Sequence, residues 1–351
     1  MKNPAVTVII PMFNAENFIA ECLTSLLDQT FQDFEVIVAD DCSTDNSVEE
    51  VKRFTQNFNG RLKMLTLSAN SGCPGIPRNF ALKAAGGKYV FFLDSDDLLS
   101  ETALEDFFNV AESFQADVVH AEKCISFIEA DGQVQSEVIS NQTGEFVTEP
   151  TLETFDLGER ITDFTRKRYL WWACNKLFRR QFLVDNKIQF PASGTFEDFV
   201  FAFMCLVAAK NYVRVPFVSY NYRFRKNSMS HKVAIVGEEF MENLIVNVRQ
   251  LSGFMSDKKI FDDNPVYVYS VIDFFMQKQF EMFTKAVLFS QNYDLGTVYD
   301  FLSEKIFSRN PQGNVALTSY LFVAANIFKF FSTQQAAEID DLKRQLAALK
   351  K

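Results

Sequence analysis

The chain has little histidine and a shortage of positive charge, and each shortage argues against a class of function. Only two histidines occur in 351 residues, so a metal site built from several imidazoles is not expected, and any metal must bind mainly through oxygen. Thirty-five basic and 45 acidic side chains give a net charge of −10. This balance argues against sequence-independent binding to nucleic acid, which needs clustered lysine and arginine.

Paired cysteines and long apolar runs are also missing. The six cysteines never form a CxxC pair, so zinc ribbons, thioredoxin-type redox sites and a disulfide framework are not expected. Val6–Ile10 is too short for the core of a signal peptide, and Pro11 interrupts it. The longest apolar stretch, 315–331, contains Asn326 and Lys329 and falls short of a membrane span. The simplest location is the cytoplasm.

Strand-like and helix-like segments alternate four times in the first 115 residues. The apolar runs VTVII, FEVIVA and YVFFL are typical of strands that are buried on both faces. Four successive strand–helix units predict an α/β fold with a mainly parallel sheet and helices on both faces. The predicted strands are 6–10, 34–39, 62–67 and 89–93, and the predicted helices are 16–27, 46–58, 74–85 and 101–114.

The rest of the chain has a different pattern. Residues 117–139 indicate further strands with a hairpin turn at Asp131-Gly132. We predict a domain over 1–232, with halves 1–115 and 116–232, then a helical domain over 233–333 and a short amphipathic helix over 334–351. Within 116–232, the segment 145–167 is irregular or partly helical, 197–210 is helical and 213–224 is a strand. The last helix carries under three heptads, so packing on its own domain and homo-oligomerisation through the C-terminal helices both stay open.

Polar side chains collect where the four predicted strands end. Ligands of open α/β sheets bind beyond the carboxyl ends of the strands. One cluster there would be explained by helix capping, but four predict a binding site. The clusters are Asn14 after the first strand, Asp40 to Asp45 after the second, Asn70-Ser71-Gly72 with Arg78-Asn79 after the third, and Asp94 to Asp97 after the fourth.

Asp94 and Asp96 carry the most specific chemistry. In an extended chain alternate side chains share one face, so both carboxylates point the same way. Two carboxylates at this spacing suit a hard cation, Mn²⁺ or Mg²⁺, whose other positions phosphate oxygens can fill. An isolated DxD is also compatible with a solvated turn. The position directly after an apolar strand favours the metal site.

Three segments resemble family 2 glycosyltransferases of the GT-A fold, of the bacterial polysaccharide or glycan-assembly type. They are VTVIIPMFNAENFIAECLTSLLDQTFQDFEVIVADDCSTDNS, GIPRNFALKAAGGKYVFFLDSDD, and WWACNKLFRR followed by GTFEDFVF. The resemblance covers roughly residues 5–230 and implies a nucleotide-binding sheet. It implies a hexosyl- or N-acetylhexosaminyltransferase that uses a nucleotide sugar, with a UDP-sugar favoured, and a glycan or lipid-linked glycan acceptor.

The resemblance also implies roles for single residues. Asp198 is the catalytic base of an inverting single displacement, Asp41 reads the uracil base, and Asp96 is the main metal ligand, supported by Asp94 and Asp97. His231 is a further metal or diphosphate ligand, although an ordinary surface side chain is equally compatible. The donor-binding residues are Pro11, Asn14, Asp40, Asp41, Arg78, Asp94, Ser95 and Asp96, and Arg223, Arg225 and Lys226 are alternative diphosphate contacts. Glu197, Trp172 and Lys176 lie on the acceptor side, although core packing is equally compatible for Trp172 and Lys176.

Other functions fit the residues less well. A nucleotidyltransferase needs a Gly-rich basic loop after the first strand, which PMFNAENF lacks, and no GxGxxG indicates a dinucleotide oxidoreductase. A non-catalytic carbohydrate-binding scaffold on the same fold stays open, although intact Asp94, Asp96 and Asp198 argue against it. The processive Gln-x-x-Arg-Trp signature is absent, which favours non-processive transfer. The stretch 315–331 could rest on the inner face of the membrane or be a buried helix.

Overall fold

A single mixed sheet of ten strands organises the part of the chain that carries the polar clusters. The computed structural model describes residues 3–130, 133–225 and 238–289. The strands are β1 (Val6–Met12), β2 (Phe34–Asp40), β3 (Leu62–Thr66), β4 (Tyr89–Phe92), β5 (Leu98–Leu99), β6 (Val118–Ala130), β7 (Gln133–Ser140), β8 (Thr151–Leu152), β9 (Lys176–Arg179) and β10 (Tyr212–Arg223). The strand order is β3-β2-β1-β4-β9-β6-β10-β5, and β7 and β8 pair with β6 and β10.

The first four strands form a parallel half, as the sequence predicts. β1 pairs in parallel with β2 and β4, and β2 pairs in parallel with β3. Every residue of β1, β2 and β4 is buried, because helices follow each strand and cover the sheet. The helices of this half are α1 (Ile19–Leu27), α2 (Ser47–Phe54), α3 (Gly75–Ala84) and α4 (Ala103–Phe114).

The first strand is two residues longer than predicted, because β1 continues through Pro11 to Met12. Leu93 N donates to Ile9 O, so the backbone polar groups of residues 9 and 11 point towards β4. The pairing of β1 with β4 stops at Ile9 and Phe92. The missing N–H of Pro11 therefore faces a position beyond the end of β4, where no ladder bond is lost.

The second half of the sheet is largely antiparallel. The four-residue strand β9 lies between β4 and β6 and is antiparallel to both, whereas β6 and β10 are parallel. β6 and β7 pair antiparallel up to Ala130 and Gln133, which confirms the predicted hairpin. Its turn, Asp131-Gly132, lies outside the described residues. The remaining elements here are α5 (Leu157–Thr165), a 3₁₀ turn (Ala173–Asn175), α6 (Arg180–Asp185) and α7 (Glu197–Ala208).

Helix α7 is buried almost all round. Ten of its twelve residues are buried, as expected for a helix without a polar face. The buried guanidinium of Arg160 donates to the carbonyl oxygens of Leu206 and Ala209, at 3.1 and 2.6 Å. Arg160 thus satisfies carbonyl groups that the end of the helix leaves without intrahelical donors. The polar side chains of α7, Glu197 and Asp198, lie at its other end.

The chain divides into two compact units. The first comprises Met1–Lys232 and Val246–Val271, and the second Val233–Ile245 and Ile272–Lys351. The structure describes α8 (Glu238–Ser256), α9 (Lys259–Asp263) and α10 (Pro265–Phe289) in this region. No helix among the described residues is long and apolar enough to cross a membrane. The predictions for 315–331 and for the helix 334–351 lie outside the described residues.

Candidate active site

The loops after β1, β2 and β3 are joined by hydrogen bonds. Asp41 accepts bonds from the backbone N–H of Ser71, at 2.8 Å to Oδ1, and from its hydroxyl, at 2.8 Å to Oδ2. Asp40 is buried and accepts from Ser43 N at 3.1 Å. We call Asp40, Asp41 and Ser71 the aspartate pocket. Its carboxylates are satisfied by neutral donors, and Asp41 still has free acceptor positions.

Asn14 connects this pocket to the end of β1. Its side-chain oxygen accepts from Thr44 N at 2.8 Å, and its backbone N–H donates to Ser43 Oγ at 3.0 Å. Asn14 and Cys42 both adopt left-handed backbone conformations, with φ of 49° and 63°. Glycine adopts this conformation without strain. The Cys42 thiol donates to Leu67 O at 3.1 Å.

Arg78 joins three carboxylates from distant parts of the chain. From the first turn of α3, its Nη2 donates to Asp94 Oδ1 at 2.7 Å, and its Nη1 donates to Glu197 Oε1 at 3.2 Å and Asp198 Oδ1 at 3.0 Å. The guanidinium is 3% exposed and lies 5.1 Å from the centre of the Phe190 ring. We call Arg78, Asp94, Glu197 and Asp198 the Arg78 cluster. It brings Asp94-Ser95-Asp96, which we call the DSD segment, next to the predicted base Asp198.

The carboxyl groups of the Arg78 cluster outnumber its single cation, and the pKa values of Glu197 and Asp198 are raised. Burial, followed by the charge of Asp198, raises the pKa of Glu197 to about 7. Burial also raises the pKa of Asp198, although Arg78 opposes the rise. Both carboxyls lie at the N-terminus of α7, where the helix dipole favours their ionised forms. A raised pKa brings Asp198 closer to the neutral range in which a general base is most effective.

The residue before this pair is strained. Phe196 has a φ of 60°, a conformation that an aromatic residue rarely adopts. Its ring stacks on Trp171 with 5.4 Å between centroids and an interplanar angle of 14°. The stacking holds the entry to α7 and therefore the backbone position of Glu197 and Asp198. Such strain is concentrated at functional sites.

The DSD segment is fixed by the end of β10. Asp97 is buried and accepts from the Tyr220 hydroxyl at 2.5 Å and from Arg223 N at 2.7 Å. Burial and the charges of Asp96 and Asp94 raise its pKa well above the usual range. Both oxygens of Asp97 thus hold the end of β10, and its predicted support of a metal stays a prediction. Asp96 forms an ion pair with Arg225.

The predicted acceptor-side residues have different surroundings. Trp172 is partly exposed, and its ring lies 5.5 Å from that of Tyr222. Glu197 belongs to the Arg78 cluster. Lys176 is buried, and its ammonium group donates to Leu170 O, Trp172 O and Asn175 Oδ1 at 2.6, 2.5 and 2.8 Å. Because these bonds use all three of its donors, Lys176 fits core packing rather than a direct contact with the acceptor.

The structure thus groups most predicted residues at the carboxyl ends of the parallel strands. Burial raises the pKa of the Cys73 thiol, and the charges of Glu197 and Asp41 add to the rise, so Cys73 lies within the electrostatic reach of both groups. Pro11 is buried in β1, and Ser95 is partly exposed in the DSD turn. His231 and Lys226 lie outside the described residues. The contacts that the sequence did not reveal are those of Ser71, Tyr220 and the Ala173 amide.

The donor chemistry of the DSD segment suits a hard cation. Asp94 and Asp96 supply carboxylate oxygens, the ligands that Mg²⁺ and Mn²⁺ prefer. Burial and the charge of Asp94 raise the pKa of Asp96, a repulsion that a bound cation would relieve. Among the side chains that the structure describes, no group of three or more His, Cys, Asp or Glu is arranged to hold a metal. Two carboxylates therefore leave several positions to other ligands.

Comparisons with known proteins agree with this geometry. The family model for glycosyl transferase family 2 matches residues 7–197. Poly(ribitol-phosphate) beta-N-acetylglucosaminyltransferase TarS of Staphylococcus aureus is 33% identical over 240 residues, covering 67% of this chain and 38% of TarS. Poly(ribitol-phosphate) beta-glucosyltransferase of Bacillus spizizenii is 30% identical over 251 residues, covering 70% of this chain and 37% of that protein. The chain thus spans less than two fifths of the length of either.

A solved structure extends the similarity beyond the family model. The crystal structure of S. aureus TarS 1-349 in complex with UDP-GlcNAc superposes with a TM-score of 0.62 and 27% identity, covering 85% of this chain and 81% of that one. The GT-A fold expected from the sequence is confirmed. Because the family model covers more than half of its residues, the chain belongs to glycosyl transferase family 2.

Proposed function

We propose that the chain transfers one sugar from a UDP-sugar to a hydroxyl group of a glycan or polyol-phosphate polymer, with inversion and without processivity. The observation that supports this best is the Arg78 cluster, in which one buried guanidinium holds Asp94 of the DSD segment and Asp198 together, at 2.7 and 3.0 Å. The donor-binding segment and a candidate base are thereby linked in one site. A scaffold would not need this arrangement.

Asp198 is the base in this proposal. It removes the proton from the attacking hydroxyl group as the new bond forms at the anomeric carbon and the bond to the nucleoside diphosphate breaks. Each of its oxygens accepts one protein hydrogen bond, from Arg78 Nη1 and from Ala173 N, which leaves lone pairs for the acceptor. Its side chain is 16% exposed, enough for an incoming hydroxyl to approach.

The aspartate pocket binds the nucleoside in this proposal. A carboxylate that accepts the N3–H of uracil distinguishes bases in a way that a phosphate contact does not. Asp41 is oriented for this role by two bonds from Ser71, both 2.8 Å. Asn14 shapes the adjoining loop. The UDP-GlcNAc in the TarS crystal structure supports a UDP-sugar, and glucose and N-acetylglucosamine are the first sugars to test.

The names of the relatives guide the choice of acceptor and stereochemistry. Two relatives are named for transfer to poly(ribitol-phosphate) with a beta linkage. A single displacement on an α-linked nucleotide sugar produces a β linkage. We therefore propose a polyol-phosphate polymer as the acceptor class of this chain.

Asp94 and Asp96 would hold Mn²⁺ or Mg²⁺, and the cation would stabilise charge on the departing diphosphate as a Lewis acid. Each of these two carboxylates forms an ion pair with an arginine of the chain. Arg78 holds Asp94, and Arg225 pairs with Asp96, so each carboxylate stays in position with a protein cation as its partner.

The test is a transfer assay on the full chain with UDP- and GDP-sugars, poly(ribitol-phosphate), and Mn²⁺, Mg²⁺ or EDTA. We expect UDP release and sugar on the polymer with UDP-GlcNAc or UDP-glucose, lost in EDTA, with a β linkage by NMR. Asp198→Asn should lower kcat by about 10²- to 10⁴-fold and leave donor affinity unchanged.

Asp185→Asn is the matched control, because Asp185 is exposed on α6 and bonds Gln181. It should behave like the wild type. Metal-dependent donor binding with no transfer to any acceptor would support the scaffold instead, and full activity of Asp198→Asn would remove Asp198 from the mechanism.

A further inference from the structure

We propose that Lys176 is a positioning residue for the catalytic base: its ammonium group fixes the turn that presents the Ala173 amide to Asp198. This inference rests on the proposed role of Asp198. It concerns a buried residue whose three donors all bond protein oxygens.

The contacts form a short chain. Lys176 Nζ donates to Leu170 O and Trp172 O at 2.6 and 2.5 Å. These carbonyl groups belong to the residues just before the 3₁₀ turn. The first amide of that turn, Ala173 N–H, donates to Asp198 Oδ2 at 3.2 Å. The carbonyl of Trp172 and the amide of Ala173 belong to the same peptide unit, so a bond to one fixes the direction of the other.

Packing alone does not account for an ammonium group at this position. Lys176 is 1% exposed, and a buried charge is unfavourable unless all its donors are paired. An aliphatic side chain would fill the space but would leave two carbonyl groups without a donor. The third bond, to Asn175 Oδ1 at 2.8 Å, also stays in the turn, because the Asn175 amide is anchored to Ala121 O at 2.7 Å.

The charges around Lys176 couple it to the base. Burial lowers the pKa of Lys176 to about 7, and the groups that oppose this shift are Cys174 in the turn, Asp198 and Cys205 on α7, and Cys124 on β6. Burial raises the pKa of all three thiols, so they are neutral and Asp198 supplies the negative charge. His120, opposite Lys176 on β6, has a pKa lowered by burial and is neutral too.

The direction of the effect on Asp198 follows. Burial and the charge of Asp94 raise the pKa of Asp198, whereas the Arg78 charge, the Ala173 hydrogen bond and the Lys176 charge lower it. Removal of Lys176 weakens the hydrogen bond from Ala173 and abolishes the Lys176 charge. The pKa of Asp198 therefore rises, and the base becomes protonated at a higher pH.

The experiment compares the full-length wild type with Lys176→Met and Lys176→Gln. In the transfer assay the acid limb of kcat/KM should move to higher pH by about one unit in Lys176→Met. At the pH optimum kcat should fall about tenfold, with the KM for the donor unchanged. Lys176→Gln keeps donor groups without the charge, so its shift should be smaller. A ¹³C NMR titration of the Asp198 carboxyl, assigned with Asp198→Asn, should show the same pKa order without any turnover.

Arg160→Met is the matched control, because it also removes a buried cation from carbonyl oxygens but at the far end of α7. It should lower stability and leave the acid limb in place. The proposal is overturned if folded Lys176→Met, or Lys176→Gln where the first does not fold, titrates Asp198 as the wild type does. If the wild type transfers no sugar, the proposed function fails, while the NMR titration still decides whether Lys176 controls Asp198.

Discussion

The aspartate pocket and the Arg78 cluster lie at the same edge of the sheet and stabilise their carboxylates in opposite ways. In the pocket, Asp41 receives two neutral donors from Ser71 alone. In the cluster, Asp94, Glu197 and Asp198 share the guanidinium of Arg78. Neutral donors orient a group with little effect on its neighbours, whereas a shared cation couples every group that touches it.

This difference separates recognition from chemistry. A carboxylate that is held only by hydrogen bonds from its immediate surroundings can bind a base while its own geometry stays constant. In the cluster, burial and an excess of carboxylates over cations raise the pKa values of Glu197 and Asp198. Such a cluster responds when a proton, a diphosphate or a cation arrives. Substitutions in the cluster should therefore change stability and kcat, and substitutions in the pocket should change donor affinity.

The largest effect should come from Arg78→Met. It leaves three carboxylates without their common partner at a buried position, and removal of one partner from a buried ion pair typically destabilises a protein by about 3 to 5 kcal/mol. Arg78→Lys should recover only part of the loss, because an ammonium cannot reproduce the fork of the guanidinium. Urea unfolding measures both variants.

Arg179→Met is the control for Arg78. Arg179 pairs with Asp117 but is 35% exposed, and Asp117 also accepts from Lys210 N and Asn211 N. Its loss should cost less than about 1 kcal/mol. Equal stability losses for Arg78→Met and Arg179→Met would mean that the cluster is not coupled through Arg78.

The second effect is on the pH dependence of stability. The pKa of Glu197 in the folded protein is about 7, above its ordinary value of 4.5. The stability that the protonated group contributes is complete below pH 4.5 and is lost as the pH rises through 7. The free energy of unfolding of Glu197→Gln should therefore rise relative to that of the wild type between pH 5 and pH 8, by on the order of 1 to 3 kcal/mol. Urea midpoints at the two pH values test this.

Glu112→Gln has the opposite sign and is the control. The Lys88 hydrogen bond lowers the pKa of Glu112, so its contribution is present above the unfolded pKa and is lost only as the pH falls through the folded one. Between pH 5 and pH 8, the free energy of unfolding of Glu112→Gln should change by the same amount as that of the wild type. If the free energy of unfolding of Glu197→Gln also changes with pH as that of the wild type does, Glu197 is ionised throughout this range. Its pKa in the folded protein is then not raised.

The sequence pattern predicts the sheet edge that carries Asp40 and Asp41 but not the contacts of the Arg78 cluster, for a physical reason. The strands β1 to β4 have continuous apolar runs, and their polar ends mark one edge of a parallel sheet. The cluster depends on partners 119 and 120 residues apart, which no local pattern reveals. It also depends on β9, only four residues long, which carries Lys176 into the interior, where its charge has a structural role.

The smallest effect should come from the pocket itself. Ser71→Ala removes the hydroxyl bond to Asp41 Oδ2 but keeps the backbone bond to Oδ1. The bond is made to a carboxylate, and a hydrogen bond to a charged group contributes about 1.5 to 3 kcal/mol. Because the backbone bond still orients Asp41, UDP affinity should fall only about two- to tenfold. We expect kcat to stay at the wild-type value and the loss of stability to be smaller than that of Arg78→Met. Calorimetry with UDP and steady-state kinetics measure the two parts.

Ser113→Ala provides the matched comparison, since the Ser113 hydroxyl bonds Asn109 O on an exposed face of α4. It should change neither UDP affinity nor kcat. A fall in kcat for Ser71→Ala, with UDP affinity intact, would show that Asp41 acts together with the Arg78 cluster. In that case recognition and chemistry would not be separate in this site.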